Sequence, residues 1–171
     1  PVRMCTDTVV ADRMIHDVEV VRSLLEGPVD GGRAVGHANG DHATAVYAVG
    51  GTPVTLTASR LAQQKIRDLL IFTDGPQLHV DYLQQTVEIH RQSLPEYVEK
   101  DGDVRYRHES VVEHPMVQNG EPLKNELEAF TTAARNDEDP LVTAEDALRV
   151  LEVAGQIESL ALDPPSEPKV S

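Results

Sequence analysis

Asp12 and His16 are the two side chains whose types and spacing best suit chemistry. They stand in Ala11-Asp12-Arg13-Met14-Ile15-His16-Asp17-Val18, four residues apart at the head of a segment with helical periodicity. That spacing projects both from one helix face within reach of each other. A carboxylate on one imidazole nitrogen fixes the tautomer and leaves the other nitrogen open to a proton. This arrangement suits a base that deprotonates a hydroxyl. Asp and His four apart also arise by chance, and the competing reading is a capping Asp12 beside a solvated or core-edge His16.

The other reactive side chains carry less. His37, His42, His79, His90, His108 and His114 show no helical or chelating pattern with carboxylates and read as strand-surface histidines, so no metal site is expected. Arg60, Arg67, Arg105 and Arg107 can contact a phosphorylated substrate or form sheet-surface and interface salt bridges, and the second reading is preferred. Ser59 and Ser110 lack the context of a nucleophile elbow. Gly31-Gly32-Arg33-Ala34-Val35-Gly36 has the wrong spacing for G-x-G-x-x-G and does not follow a buried strand. Cys5 is the only cysteine, which excludes an intrachain disulfide and a cysteine-rich zinc site.

The elements that must position Asp12 and His16 follow from hydrophobic period. Met14, Val18, Val21 and Leu25, widened by Ile15, predict a helix over 12–25 that Gly27-Pro28 stops. Val29 to Gly32 reads as a turn. From Arg33 to about His114 the period is two: Ala43, Ala45, Tyr47 and Val49 form one stripe, and Val54, Leu56 and Ala58 form the next beyond a Gly50-Gly51 turn. Further strands are predicted at 67–73, 78–82, 86–91 and 104–112, with a polar turn-rich stretch over 93–102. Hairpin spacing of this kind belongs to an antiparallel sheet. A helix near Pro122 carries Leu123, Leu127, Phe130 and Ala134 on one face. A capping box at Thr143-Ala144-Glu145-Asp146 starts another that buries Ala147, Leu151, Ala154 and Ile157. The reading is one α+β domain over 1–162, an open and mostly antiparallel sheet of about six strands with helices on one face, followed by a disordered tail over 163–171 and with no Rossmann domain.

Composition bounds the setting. The chain has 171 residues and a formal net charge of −14, from 29 acidic against 15 basic residues, and Lys65, Lys100, Lys124 and Lys169 are its only lysines. Such a surface repels phosphate backbones, so nucleic acid is not an expected partner. It fits a halophilic cytoplasm, the alternative being a merely acidic mesophilic protein. No apolar run approaches a membrane span and no signal peptide opens the chain, so the expected location is the cytoplasm and no membrane partner is expected. The first residue is Pro1 rather than Met, which points to a processed product or a piece of something longer.

The stretch from Asp12 to Leu25, with its Ile15-His16-Asp17-Val18-Glu19-Val20-Val21 centre, is similar to a helix in the C-terminal domain of Gfo/Idh/MocA-type oxidoreductases, which an Asp-x-x-x-His pair heads. Asp41-His42-Ala43-Thr44-Ala45 and Gly51-Thr52-Pro53-Val54 through Arg60 resemble two successive strands of that domain. Glu121 to Leu127 and Pro140 to Ala147 resemble its closing helices, so the likeness runs through nearly the whole chain in order. It implies NAD or NADP held on an N-terminal Rossmann half, and hydride exchange with a carbon of a sugar, polyol or nucleotide sugar. His16 would be the acid/base on the reacting hydroxyl and Asp12 its partner, with the local wording leaning towards UDP-amino-sugar dehydrogenases. The Glu-Lys-Pro tripeptide of the N-terminal half has no match here. No cofactor is therefore expected to bind this chain alone, and the chain alone should be inactive. The family's sheet packs against a partner subunit, which implies a homo-oligomer through an open face with Val54, Leu56 and Leu78. The alternative is a non-enzymatic oligomerisation remnant of such a dehydrogenase.

Overall fold

A computed structural model of the protein describes residues 7–92, 96–100, 103–107 and 110–162. The expected tail over 163–171 lies outside the described residues, as does His108. The chain divides into two compact units, residues 1–63 with 128–171, and residues 64–127.

The first unit opens with a π-helical turn, Val10–Met14, which runs directly into α1, Ile15–Leu24. The expected stripe is the buried one: Met14, Val18 and Val21 are in the core, with Ile15 and Leu25 packed against it. Three antiparallel strands follow: β1 (Val29–Gly36), β2 (His42–Val49) and β3 (Thr52–Ser59), paired in that order. The turn expected at Val29 to Gly32 is instead the start of β1. Gly31 and Gly32, both at positive φ, absorb a bulge between Asp30 and Arg33. The Gly50-Gly51 turn is as expected. Both residues have positive φ, 55° and 83°, as a two-residue hairpin of the primed type demands.

Register sets the two faces of this sheet. Ala34, Ala45 and Leu56 lie side by side, as do Ala43 with Ala58 and Tyr47 with Val54, and all are buried. Val35, Thr44 and Thr57 line up on the other face, where the two threonine hydroxyls lie 3.1 Å apart. Val54 and Leu56 therefore point into the core rather than onto an open face, because α1 and α3 (Ala144–Leu162) cover that side.

α3 departs from the expected face. It buries Val150, Val153, Ala154, Ile157 and Ala161, whereas Ala147 and Leu151 are exposed. The helix carries apolar residues around most of its circumference, Leu148 and Leu151 included, so two stripes compete and periodicity alone does not choose between them. Its N-terminus is closed as expected. The Asp146 amide donates to Thr143 Oγ1 at 3.2 Å, and the Thr143 amide and hydroxyl donate to Asp146 Oδ2 at 3.2 and 2.6 Å. Those bonds hold the Asp146 carboxyl below its ordinary range. Thr143→Ala should cost about 1 kcal/mol, read as a fall of roughly 2–4 °C in the melting temperature.

The second unit carries β4 (Asp68–Phe72), β5 (Gln77–Asp81), β6 (Thr86–Gln92) and β9 (Ser110–Glu113), antiparallel in the order β4-β5-β6-β9. A separate hairpin pairs β7 (Glu96–Lys100) with β8 (Asp103–Arg107). The polar stretch expected to be a turn thus includes a strand, and the single strand expected over 104–112 is two. Its strands form a ladder of their own among the described residues, so Leu78 is not in the sheet of Val54 and Leu56. Helix α2 (Pro122–Asn136) begins at the expected proline, but Leu123, Leu127 and Phe130 are exposed. Every fully buried apolar side chain among the described residues belongs to the first unit. The α+β class and the antiparallel pairing stand, and no described helix is long and apolar enough to cross a membrane.

Candidate functional site

Asp12 lies in the middle of the π-helical turn and His16 is the second residue of α1. The turn is tied down on both sides. The Val9 amide donates to the Gly40 carbonyl at 2.7 Å, and the Asp12 amide to the Thr8 carbonyl at 3.0 Å. The Thr8 hydroxyl donates to a Glu158 oxygen from α3.

The carboxylate of Asp12 does not go to His16. It is taken by Arg60, just beyond the end of β3, whose Nη2 lies 2.8 Å from Asp12 Oδ2. The same guanidinium donates from Nη1 to the Asp7 carbonyl at 2.8 Å and stands 3.6 Å from Asp41 Oδ1. Arg13 adds a second, longer contact to Asp12 at 3.5 Å. Asp41 is itself shaped by Asn39, which donates to its Oδ2 at 2.8 Å. The Arg60 side chain is only 15% exposed, so this is an anchored ion cluster and not a loose surface pair. The Arg60 hydrogen bond is the main cause that holds the Asp12 carboxyl below its ordinary value, against the opposing effect of burial. Arg60 thus makes the salt bridge expected of it.

His16 is exposed, and among the described residues no hydrogen bond or ion pair joins it to Asp12. Two physical reasons separate what the spacing brings together. A π turn has more residues per turn than an α-helix, so i and i+4 no longer stack. Arg60 is 48 residues away in sequence and becomes a neighbour only when β3 closes on the turn. The arrangement offers an anionic carboxylate held in place by Arg60 and, beside it along the chain, an accessible imidazole.

A small pocket lies between α3 and strands β1 and β2, lined by Gly31, Gly32, Tyr47, Gln156 and Ile157 among others. None of Asp12, His16 and Arg60 lines it. The Tyr47 hydroxyl is buried with no hydrogen-bond partner among the described residues, and burial pushes it up to about 12.

No family model matches the chain, and no curated protein matches it. Solved structures do. UDP-N-acetylglucosamine 3-dehydrogenase from Acidithiobacillus ferrooxidans is 26% identical, with a TM-score of 0.76 over 95% of this chain and 51% of that one. The chain has the α+β fold of the C-terminal domain of Gfo/Idh/MocA-type oxidoreductases. An NAD-binding protein from Listeria innocua, 12% identical, superposes with a TM-score of 0.68 over 91% of this chain and 50% of that one. A dehydrogenase from Clostridium difficile, also 12% identical, gives 0.62 over the same shares. These two bear on the fold alone. The chain spans about half the length of the Gfo/Idh/MocA-type structures it matches.

Sequence reasoning missed two features of this domain. A salt bridge was the preferred reading of Arg60, but nothing local marks it as the partner of Asp12. His79, His90 and His114 gather around one carboxylate, Glu88, although no spacing pattern announces it. The signal for the first two lay in strand register, since His79 stands directly opposite Glu88.

Proposed function

We propose that the chain is the substrate-side part of an NAD(P)-dependent oxidoreductase that acts on the hydroxyl of a sugar, polyol or nucleotide sugar, with UDP-N-acetylamino sugars the favoured class. The observation that carries this reading is the likeness to UDP-N-acetylglucosamine 3-dehydrogenase across nearly the whole chain. His16 is the acid/base: its imidazole accepts the proton of the reacting hydroxyl, and its exposure at the head of α1 suits that task. Asp12 is its partner, binding substrate or setting the local field, and Arg60 keeps it anionic and in place.

The residues present do not fit a dinucleotide. Gly31 and Gly32 form a bulge inside β1 instead of a strand-to-helix turn. The N-terminus of α3 is closed by Thr143 and Asp146, a carboxylate that repels phosphate. NAD or NADP would have to be held elsewhere in the full protein, and the chain alone would bind neither and turn over nothing. A homo-oligomer is part of the proposal. Leu69, Ile71, Leu78, Val80, Val87 and Ile89 share one face of the β4-β5-β6 ladder and are only half-buried, which suits a second copy. The acidic surface fits a salt-rich cytoplasm.

Calorimetric titration in high salt tests the reading. UDP-N-acetylglucosamine should bind the chain weakly, His16→Ala should weaken it about tenfold, and NAD and NADP should give no heat. Tight binding of either dinucleotide would sink the assignment. Absence of both sugar and cofactor binding would favour the oligomerisation remnant.

A further inference from the structure

Glu158 lies on α3 next to the buried Ile157, and its half-buried carboxylate meets the turn that carries Asp12. Among the described residues that carboxylate accepts one hydrogen bond, from the Thr8 hydroxyl 150 residues away in sequence, and no cation pairs with it. Thr8 is in turn the hub of the Asp12 turn. Its Oγ1 accepts the Ala11 amide at 3.3 Å, and its carbonyl accepts the Asp12 amide at 3.0 Å and Arg60 Nη2 at 3.4 Å. Gly40 closes in on the same side chain. A Cβ there would come within 3.1 Å of Thr8 Cγ2, and the Gly40 carbonyl takes the next amide along, that of Val9.

We infer that Glu158 is a positioning residue of the sugar site: it fixes Thr8, and Thr8 fixes where Asp12 stands and where α1 begins with His16. The inference rests on the dehydrogenase reading of Asp12 and His16. The chemistry of the acceptor is the first reason. A hydroxyl is a rotor with one proton to donate and two lone pairs. A carboxylate only accepts, so it takes the Thr8 proton and leaves a lone pair facing the Ala11 amide. That bond satisfies one of the amides that the first turn of a helix leaves open. Burial is the second reason. A half-buried carboxylate without a cation costs free energy to desolvate, and a neutral side chain at this point of α3 would carry no such cost. Convergence is the third. The Thr8 carbonyl receives both the amide of Asp12 and the guanidinium that holds the Asp12 carboxylate at 2.8 Å. A displaced Thr8 therefore loosens Asp12 at its backbone and at its side chain together.

Carbon NMR titration of the Asp12 carboxyl in the full chain tests this. In the unaltered chain the group titrates below 3.8 because Arg60 holds it. Glu158→Ala should move that midpoint up towards 3.8 and weaken the binding of UDP-N-acetylglucosamine about fivefold. Glu158→Gln, whose side-chain carbonyl still accepts from Thr8, should do neither. The sign separates position from charge, since loss of a nearby negative charge acting through space lowers a carboxyl midpoint and does not raise it. A midpoint that stays or falls in Glu158→Ala overturns the inference, as does a melting temperature that drops with no change at Asp12. If Glu158→Ala does not fold by circular dichroism, Thr8→Val takes its place, and an unchanged Asp12 midpoint there overturns it instead. An unaltered chain that binds no sugar removes the dehydrogenase reading, whereas the Asp12 midpoints still decide whether Glu158 sets the turn.

Discussion

Arg60→Ala should destabilise the protein by about 2–3 kcal/mol at neutral pH, measured by urea unfolding. The guanidinium joins the Asp7 carbonyl, Asp12 and Asp41 in one cluster, so its removal breaks several charge-assisted contacts at once. The figure stays below a simple sum because Asp12 and Asp41 are 43% and 35% exposed, and water replaces part of what Arg60 supplies. Arg60→Lys should recover less than half of the loss, since an ammonium cannot serve the carbonyl and both carboxylates from fixed directions. The pH dependence has a definite sign. The folded-state value of Asp12 is lowered from 3.8, so its contribution is complete above that pH and is lost as pH falls through the lower folded value. The gap between Arg60→Ala and the unaltered chain should hold steady between about pH 5 and 8 and narrow below pH 3.8. A gap that stays constant into strong acid would show that Arg60 acts by packing and not through Asp12.

That cluster marks where reading from sequence stops. Faces set by local period were legible: Met14, Val18 and Val21 on the first helix, the alternating stripes of β2 and β3, and the Gly50-Gly51 turn all lie as their spacing implies. In each case one property of neighbouring residues decides the outcome, with no distant competitor. α3 was legible as a helix with a capping box but not in its rotation, because Leu148 and Leu151 are as apolar as the residues that are buried. β1 was half legible, since a glycine pair serves a turn and a bulge equally well. Least legible was the partnership of Asp12. An i,i+4 rule assumes an α-helix, and it fails once the backbone opens to a π turn and a strand-end arginine arrives from 48 residues away. The histidines around Glu88 fall in the same class, because register across β5 and β6 brings them together and spacing along one strand does not.

Met14→Ala should cost about 3 kcal/mol, a fall of roughly 6–12 °C in the transition of a chain this long. Met14 has no exposed surface and is the largest fully buried side chain among the described residues. It closes the π-helical turn and precedes α1, so Asp12 lies two residues before it and His16 two after. Truncation there loses apolar contact and leaves a cavity that the rest of the core fills only in part, since its side chains are themselves fixed by close packing. Met14→Leu nearly conserves the volume and should cost less than about 1.5 kcal/mol. The pair of variants also bears on the site. If this turn holds Asp12 and His16 through Met14, then Met14→Ala should weaken sugar binding in parallel with its loss of stability, while Met14→Leu should leave it unchanged. Equal binding by the two variants would mean that the ion cluster around Arg60 positions the turn without help from the core.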